Sequence, residues 1–201
     1  MASIYHLKPA FQHLLRPVSR TLATIGVTAN HVTVSAAVLS CATGAMIIWN
    51  PRSHWPLLLM PPVLFARMAL NAIDGMLARE HGMQSKLGAL LNELGDVVSD
   101  AALYLPLALV QGVPAFLVVT IVVLGVIGEM TGVLAVQIGA HRRYDGPMGK
   151  SDRAFVFGCV SLLIGVGIPV GTWLDILLSV TLLLSALTIF NRARRALLEC
   201  S

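Results

Sequence analysis

Charged side chains are scarce in this sequence. Lys, Arg, Asp and Glu make up 12% of its 201 residues, whereas hydrophobic residues make up 56%. A soluble domain of ordinary composition carries roughly a quarter charged residues. The scarcity excludes such a domain. Together with long apolar runs, it predicts an all-α membrane protein that crosses the bilayer several times, as a single domain over residues 1–201.

Cysteine is also scarce. Cys41, Cys159 and Cys200 stand far apart, so they have neither the spacing of a metal site nor that of a redox motif. Cys41 and Cys159 lie in apolar runs, and we expect them to be small buried hydrophobic residues. A cleavable signal peptide is not expected, because the first 20 residues are polar and lack a short apolar core with a cleavage site.

The first helix is predicted over residues 5–24. Its apolar residues share one helical stripe, and its basic residues lie off that stripe. The stripe consists of Leu7, Phe11, Leu14, Leu15, Val18 and Leu22, and the basic residues are Lys8, Arg16 and Arg20. The pattern favours an amphipathic helix in the membrane interface. An ordinary packed helix is the alternative.

Six apolar stretches follow, and a bilayer-spanning helix needs about 20 residues. They cover about residues 30–49, 55–79, 85–110, 115–138, 154–168 and 173–190, the fifth being the shortest. We expect Asn30 to be the N-cap of the first stretch and Pro61-Pro62 to bend the second. Residues 141–153 are expected to form a polar loop between the fourth and fifth.

Basic residues are confined almost entirely to one set of span ends. Twelve of the 14 Lys and Arg residues lie there, with Arg52 at the opposite set and Arg67 inside a span. Because cytoplasmic ends carry the excess of Lys and Arg, both termini are predicted to be cytoplasmic. The same bias explains the net charge of +4, so nucleic acid is not an expected partner. Arg67 and Glu129 are charges inside spans, so each should face the bundle or a headgroup. Arg67 is expected either to bind the acceptor or to pair with Glu129 or a backbone group.

Two helical faces meet around a polar turn at Gly82. The first face carries Asn71, Asp74, Gly75 and Ala78, and the second carries Gly88, Asn92 and Asp96. Residues three or four apart share a helical face, so antiparallel pairing of the two helices would bring these polar groups together. Such a cup of oxygen ligands, near the cytoplasmic boundary, suits a hard divalent cation that holds phosphates.

The spacing resembles the signature of the CDP-alcohol phosphotransferase family, D-x2-D-G-x2-A-R-x8-G-x3-D-x3-D. Six of its eight fixed positions are met, by Asp74, Gly75, Ala78, Arg79, Gly88 and Asp96. Asn71 and Asn92 replace the first and third aspartates. The stretch from Gly26 to Thr33 is similar to the family's G-[IV]-T-P-N-x-x-T, with Ala29 in place of the proline.

The resemblance implies a membrane enzyme that transfers a phosphatidyl-type group from CDP-diacylglycerol to an alcohol and releases CMP. It assigns Asp96 as the base and Asp74, Asp96, Asn71 and Asn92 as ligands of Mg²⁺ or Mn²⁺. The positions expected to bind nucleotide or phosphate are Asn30, Thr33, Asp74, Gly75, Ala78, Arg79, Gly88 and Lys150. A homodimer in the inner or plasma membrane is also implied.

The loop at 141–153 carries Gly149-Lys150, similar to a phosphate-contacting stretch of the family. Arg142, Arg143 and Arg153 are candidates for binding the acceptor, and they slightly favour a phosphorylated one. A basic loop over an anionic lipid surface is the alternative. Asp100, one turn beyond Asp96, is expected either to compensate for a lost charge or to face a polar neighbour.

Two other functions remain open. The two asparagines are compatible with a non-catalytic member that binds lipid or nucleotide. A small transporter is less favoured, because transporter sites lie near the bilayer midplane between repeated halves, and this sequence shows no internal repeat.

Overall fold

The computed structural model describes residues 7–200, with side chains from Phe11 onward, and the regular structure of this region is helical throughout. The helices are α1 (Leu7–Thr24), α2 (Ala29–Trp49), α3 (Trp55–Leu58), α4 (Met60–Glu80), α5 (Lys86–Tyr104), α6 (Ala115–Leu134), α7 (Lys150–Gly165) and α8 (Thr172–Cys200). Two 3-10 segments, Leu105–Leu109 and Ala135–Ile138, extend α5 and α6.

The chain divides into two compact units. The first unit comprises Met1–Ala42 and Pro62–Ser99, and the second comprises Thr43–Pro61 and Asp100–Ser201. In the first unit, α1, α2 and α4 enclose a core of Ala29, Val32, Ile73 and Leu77, with Leu15, Leu22, Ala23, Val27, Leu70, Ala78 and Met83 packed against it. The apolar stripe of α1 therefore contributes Leu15 and Leu22 to this core, and Leu14 and Val18 stay exposed.

In the second unit, α6 packs against α8 and α3 packs against α7. Close packing depends on small residues there. A Cβ on Gly165 would lie 2.6 Å from the Leu58 side chain, and one on Gly44 would lie 2.0 Å from the Ala102 carbonyl oxygen. The rings of Tyr104 and Phe157 stack with centroids 4.4 Å apart.

Four helical segments of the described region are long and apolar enough to cross a membrane: Ala29–Trp49, Trp55–Glu80, Ala115–Ile138 and Thr172–Cys200. Large apolar side chains remain exposed on them, as at Trp49 and Phe116, each 78% exposed. Exposed apolar surface on such helices is suited to lipid. The protein is therefore a membrane protein, while α5 and the 16-residue α7 leave the predicted total of six spans unconfirmed.

Several predicted boundaries differ from the structure at the N-terminal ends of helices. Helix α2 begins at Ala29, and its cap is Thr28, whose hydroxyl accepts a 3.3 Å hydrogen bond from the His31 backbone N–H; Asn30 is thus inside the helix. Pro61 and Pro62 lie in the first turn of α4 and do not bend its middle, because proline needs no amide partner there.

The last two helices are longer than predicted. Helix α7 begins at Lys150, four residues early, because the Asp152 carboxylate accepts a 2.9 Å hydrogen bond from the Gly149 backbone N–H. Helix α8 continues ten residues past Phe190 to Cys200, since the end of an apolar run does not by itself end a helix. Cys41 was expected to be buried and is exposed, and Cys159 is half-buried; both thiols are free.

Candidate active site

The two predicted polar faces meet in the first unit. Asn71 on α4 donates a hydrogen bond from Nδ2 to Oδ1 of Asp96 on α5, at 3.1 Å. Asp96 is a quarter exposed. The helical spacing correctly placed these two side chains together, and the hydrogen bond fixes one oxygen of the Asp96 carboxylate.

Arg67 lies beside the same carboxylate. Its side chain is 4% exposed and lies one turn before Asn71 on α4. A guanidinium nitrogen donates to the Asp96 backbone carbonyl oxygen at 3.1 Å and lies 3.7 Å from its Oδ1. The intramembrane arginine thus has a partner within the first unit, as its desolvation requires.

Asp74 is buried and is held by α2. The Thr33 hydroxyl donates a 2.9 Å hydrogen bond to its Oδ2. The methyl group of Thr33 lies against Gly95 of α5, where an added Cβ would be 3.5 Å away. Thr33 therefore positions a motif aspartate, a contact that links the N-terminal motif to the main one.

Two motif glycines make room for polar side chains. A Cβ at Gly75 would lie 2.8 Å from a terminal nitrogen of Arg79, so the guanidinium folds back over Gly75. A Cβ at Gly88 would lie 2.8 Å from Oδ1 of Asn30 and 3.0 Å from the Ser85 hydroxyl. With glycine at both positions, these polar side chains can lie directly against the helix backbone.

Two further motif positions, Ala78 and Asn92, have different surroundings. Ala78 packs against the core of the first unit, which gives it a packing role. Asn92 is half-buried on α5, one turn before Asp96.

The donor set fits one hard divalent cation. Within the part of the chain that the structure describes, no three carboxylate, imidazole or thiolate side chains converge into a metal-binding group. The first unit offers the carboxylates of Asp74 and Asp96. Asn71 uses its amide nitrogen on Asp96, so its carbonyl oxygen is the atom that can act as a ligand. Mg²⁺ is commonly held by one or two carboxylates plus substrate phosphates, and two carboxylates are present here.

The basic residues predicted to bind phosphate or the acceptor, which follow the fourth span, all lie in the second unit. Each arginine among them is paired with an acidic side chain. Arg153 contacts Asp100 and Glu129, and Arg142 lies 3.6 Å from Glu129 and 4.3 Å from the centre of the Tyr144 ring. Lys150 is the first residue of α7 and is half-buried. Asp100 thus faces a charged neighbour, Arg153, within the second unit.

Arg143 belongs to a separate ion-pair network with Asp145 and Glu199. Burial alone would raise the pKa of Asp145, but the Arg143 hydrogen bond and charge, with those of Arg195, lower this pKa below its ordinary value. The network ties the loop after α6 to the C-terminal turns of α8.

Sequence reasoning missed Arg192 as a partner of Glu129. Its side chain is 3% exposed and its guanidinium lies 3.4 Å from Glu129. In the sequence Arg192 stands with Arg194 and Arg195 at a span end that is predicted to be cytoplasmic, where the positive-inside bias accounts for all three. One local signal could have found it: Arg192 shares a helical face with Thr181, Ser185 and Thr188, and this face of α8 is buried.

Comparison with known proteins adds the deciding observation: the model of the CDP-alcohol phosphatidyltransferase family matches residues 26–191. The chain belongs to this family. Its members are metal-dependent transferases of phospholipid synthesis, so the protein is a CDP-alcohol phosphatidyltransferase.

The chain is also similar to two curated proteins. The inner membrane protein YnbA of Escherichia coli K12 is 45% identical, over 98% of this chain and 97% of the relative. The phosphatidylinositol phosphate synthase of Corynebacterium glutamicum is 33% identical over 52% of this chain and 45% of its own length.

The fold is also similar to that of a solved enzyme. The phosphatidylinositol phosphate synthase of Mycobacterium tuberculosis, solved with CDP-DAG bound, has a TM-score of 0.76 at 20% identity, with 90% of this chain and 92% of that chain covered. The same enzyme has been solved with manganese and citrate. At this identity the likeness establishes the fold.

Proposed function

We propose that the protein transfers a phosphatidyl group from CDP-diacylglycerol to an alcohol acceptor and releases CMP. The observation that carries the proposal is the pairing of Asn71 with Asp96 at 3.1 Å, which places the last motif carboxylate on the face of α4 that also carries Asp74. The C. glutamicum and M. tuberculosis relatives, both phosphatidylinositol phosphate synthases, support a lipid donor of this kind.

The reaction is a substitution at the phosphorus that bears the lipid. The acceptor oxygen forms a bond to this phosphorus while its proton passes to Asp96, acting as the general base. The bond between the phosphorus and the oxygen that bridges it to CMP breaks, and CMP leaves with that oxygen and its electron pair. The second carboxylate oxygen of Asp96 receives the proton, since Oδ1 accepts from Asn71.

A divalent cation, Mg²⁺ or Mn²⁺, would supply charge neutralisation of the pyrophosphate when bound. Asp74 and Asp96 would hold it, with Asn71 and Asn92 as neutral oxygen ligands. Thr33 keeps the Asp74 carboxylate oriented through its 2.9 Å hydrogen bond.

The nucleotide and its phosphates are assigned to the polar groups around the motif glycines. Asn30 and Arg79 offer an amide and a guanidinium where Gly88 and Gly75 leave space. The remaining positions assigned to this role are Thr33, Asp74, Ala78 and Lys150. Arg142, Arg143 and Arg153 are assigned to the acceptor.

In the bilayer we propose six spans, with α5 and α7 completing the four long apolar helices, and α1 lying in the interface. The positive-inside bias supports cytoplasmic termini and a cytoplasmic site, and the E. coli relative supports the inner membrane. We propose a homodimer on the family resemblance.

The test is an assay of purified protein with CDP-diacylglycerol, Mg²⁺ or Mn²⁺, and a panel of alcohols, with CMP release as the readout. We expect release that depends on the acceptor and stops in excess EDTA. Asp74→Asn should reduce it nearly as far. Full activity in EDTA would rule out the metal-dependent mechanism.

The outcome that would contradict turnover is a family member that only binds its ligand, with the neutral Asn71 and Asn92 at two ligand positions. Binding of CDP-diacylglycerol without CMP release, with every acceptor, would support it. If the Asn71→Asp, Asn92→Asp double variant then released CMP, the result would support a binding role for the unaltered protein.

A further inference from the structure

Helix α1 has three distinct faces within the first unit. Its inner face carries Leu15 and Leu22, which pack against the core, and Ser19, which is fully buried. These residues are spaced i, i+4 and i+7, so they form one helical stripe. Phe11 adds an edge-to-face contact with the Phe65 ring of α4, with centroids 6.0 Å apart. The inner face therefore fixes the rotation of α1 about its own axis.

The outer face of α1 is apolar and exposed. Leu14 is 72% exposed, Val18 is 47% exposed, and Ile25, directly after the helix, is 68% exposed. Ile25 continues the helical pattern, because its backbone N–H donates a 3.2 Å hydrogen bond to the Thr21 carbonyl oxygen. The three apolar side chains are spaced i, i+4 and i+11 and share a stripe. Such a stripe on an amphipathic helix is suited to the acyl chains at the membrane boundary.

The third face of α1 is basic. It carries His13, Arg16 and Arg20, spaced i, i+3 and i+7, and both His13 and Arg20 are exposed. Arg16 is held by the last residue of α4. Its Nε donates to Oε2 of Glu80 at 3.2 Å, and a terminal nitrogen donates to Oε1 at 2.9 Å. Because Arg16 occupies both oxygens of Glu80, Arg20 retains an exposed charge one helical turn away.

The basic face carries an excess of positive charge. The first acidic residue of the chain is Asp74, which is buried and bonded to Thr33. The face therefore presents two arginines against the one carboxylate that is bonded to it. An anionic leaflet attracts basic residues that lie near its surface. A layer that is anionic above and apolar below matches the basic and apolar faces of this helix together.

We propose that α1 binds anionic phospholipids, with its outer face among the acyl chains and Arg20 on a headgroup phosphate. This inference rests on the interfacial placement of α1 in the proposed function. A guanidinium group donates paired hydrogen bonds to phosphate oxygens, and the long apolar part of the side chain lets its head reach the headgroup layer. The bond between Arg16 and Glu80 keeps the basic face in this orientation.

The test measures which lipids lie beside α1. With the native cysteines replaced by serine, Thr21→Cys carries an environment-sensitive fluorophore on the exposed outer face. The whole chain is reconstituted into phosphatidylcholine bilayers. The quencher is an acyl-chain nitroxide, placed either on phosphatidylglycerol or on phosphatidylcholine, and the ratio of the two quenching efficiencies gives the local enrichment of the anionic lipid.

We expect phosphatidylglycerol to be enriched beside α1 by at least about fivefold, the scale of one basic residue at an anionic surface. Salt at about 1 M shortens the range of electrostatic attraction and should reduce the enrichment. An enrichment that salt leaves unchanged would contradict recognition by charge.

Arg20→Gln should lower the enrichment by about fivefold. Arg20→Lys retains the charge and should retain most of the enrichment. Arg194→Gln, which removes an exposed arginine of α8, is the control for loss of a basic charge elsewhere and should have no effect beside α1. An unchanged enrichment in Arg20→Gln overturns the proposal.

Glu80→Gln should have the opposite effect. It removes a negative charge and releases Arg16, so we expect the enrichment to rise by about fivefold. A fall in enrichment would contradict the role given to the basic face. Should Glu80→Gln not fold, the comparison of Arg20→Gln with Arg20→Lys decides the question.

The quenching pattern separates failure of this inference from failure of the proposed function. Equal quenching by the two lipids overturns the preference for anionic lipid and leaves α1 in the interface. Quenching by neither lipid overturns both the preference and the interfacial placement. The measurement does not depend on CMP release, so the transferase reaction is judged separately by its own assay.

Discussion

A guanidinium nitrogen of Arg67 lies 3.7 Å from Oδ1 of Asp96 and donates a 3.1 Å hydrogen bond to the backbone carbonyl oxygen of the same residue. This fixed positive charge stands beside one of the two carboxylates that remain in the motif. With Asn71 and Asn92 neutral, the proposed metal site is less negative than four aspartates would make it. We therefore expect side chains of α4 to influence both the metal affinity and the position of the proposed base.

Removing the charge of Arg67 should tighten metal binding. In Arg67→Gln we expect Mn²⁺ affinity, measured by paramagnetic resonance, to rise on the order of tenfold, because a nearby positive charge is lost in a partly desolvated site. Arg67→Lys, which retains the charge, is the matched control. An unchanged Mn²⁺ affinity in a folded Arg67→Gln protein would contradict this electrostatic role.

Asp96→Asn should remove the proposed base. We expect turnover to fall by about 10²-fold or more, while Mn²⁺ affinity falls only in part because Asp74 remains. Asp100→Asn is the informative comparison, since Asp100 is paired with Arg153. If Asp96→Asn kept its turnover and Asp100→Asn lost it, the base would lie one helical turn further along α5.

Restoring carboxylates at positions 71 and 92 should tighten metal binding without a matching gain in turnover. The added charges attract the cation, but tighter ground-state binding does not by itself lower the chemical barrier. Asn71→Asp also replaces the hydrogen-bond donor that holds Asp96. We therefore expect its thermal unfolding temperature to rise more steeply with added Mn²⁺ than that of Asn92→Asp. Equal responses would show that the contact with Asp96 has no such effect.

Cysteine accessibility should give the topology. In a background with the native cysteines replaced by serine, Gln84→Cys and Ser151→Cys should be labelled from the cytoplasm and Ser53→Cys from the opposite side. Gln84 and Ser151 are exposed in the structure. Gly146 is unsuitable, because its φ is +127° and a Cβ there would lie 2.5 Å from Thr188. Labelling of Gln84→Cys from the far side would reverse the proposed orientation.

Local patterns were sufficient to predict part of the fold. The helical segment at 115–138 has the predicted boundaries, because Pro114 precedes it and Gly139, with a φ of +92°, follows it. Helix α8 lacks such a stop after Phe190, and its continuation could not be inferred from where the apolar residues end. The start of α7 depends on a hydrogen bond between Asp152 and Gly149, which spacing did not indicate.

The candidate site, like the fold, could be predicted only in part. Helical periodicity predicted that Asn71 and Asp96 would meet, since both lie on regular faces flanking one short turn. The partners of Glu129 could not be predicted, because Arg192 is 63 positions later in the chain and its pairing arises from the packing of α6 against α8. The partner of Arg67 could not be predicted either, because its contact with Asp96 arises from the packing of α4 against α5.

The placement of Glu129 has a consequence for biosynthesis. Helix α6 belongs to the most apolar of the four candidate spans, and the ribosome completes it before it reaches Arg142, Arg153 or Arg192. A charged side chain at the bilayer centre costs roughly 3 kcal/mol during insertion, so the nascent α6 carries a charge whose second-unit partners are still to be synthesised. Once α7 and α8 are inserted, their arginines can pair with Glu129. The stable position of α6 in the bilayer therefore depends on the insertion of the last two helices.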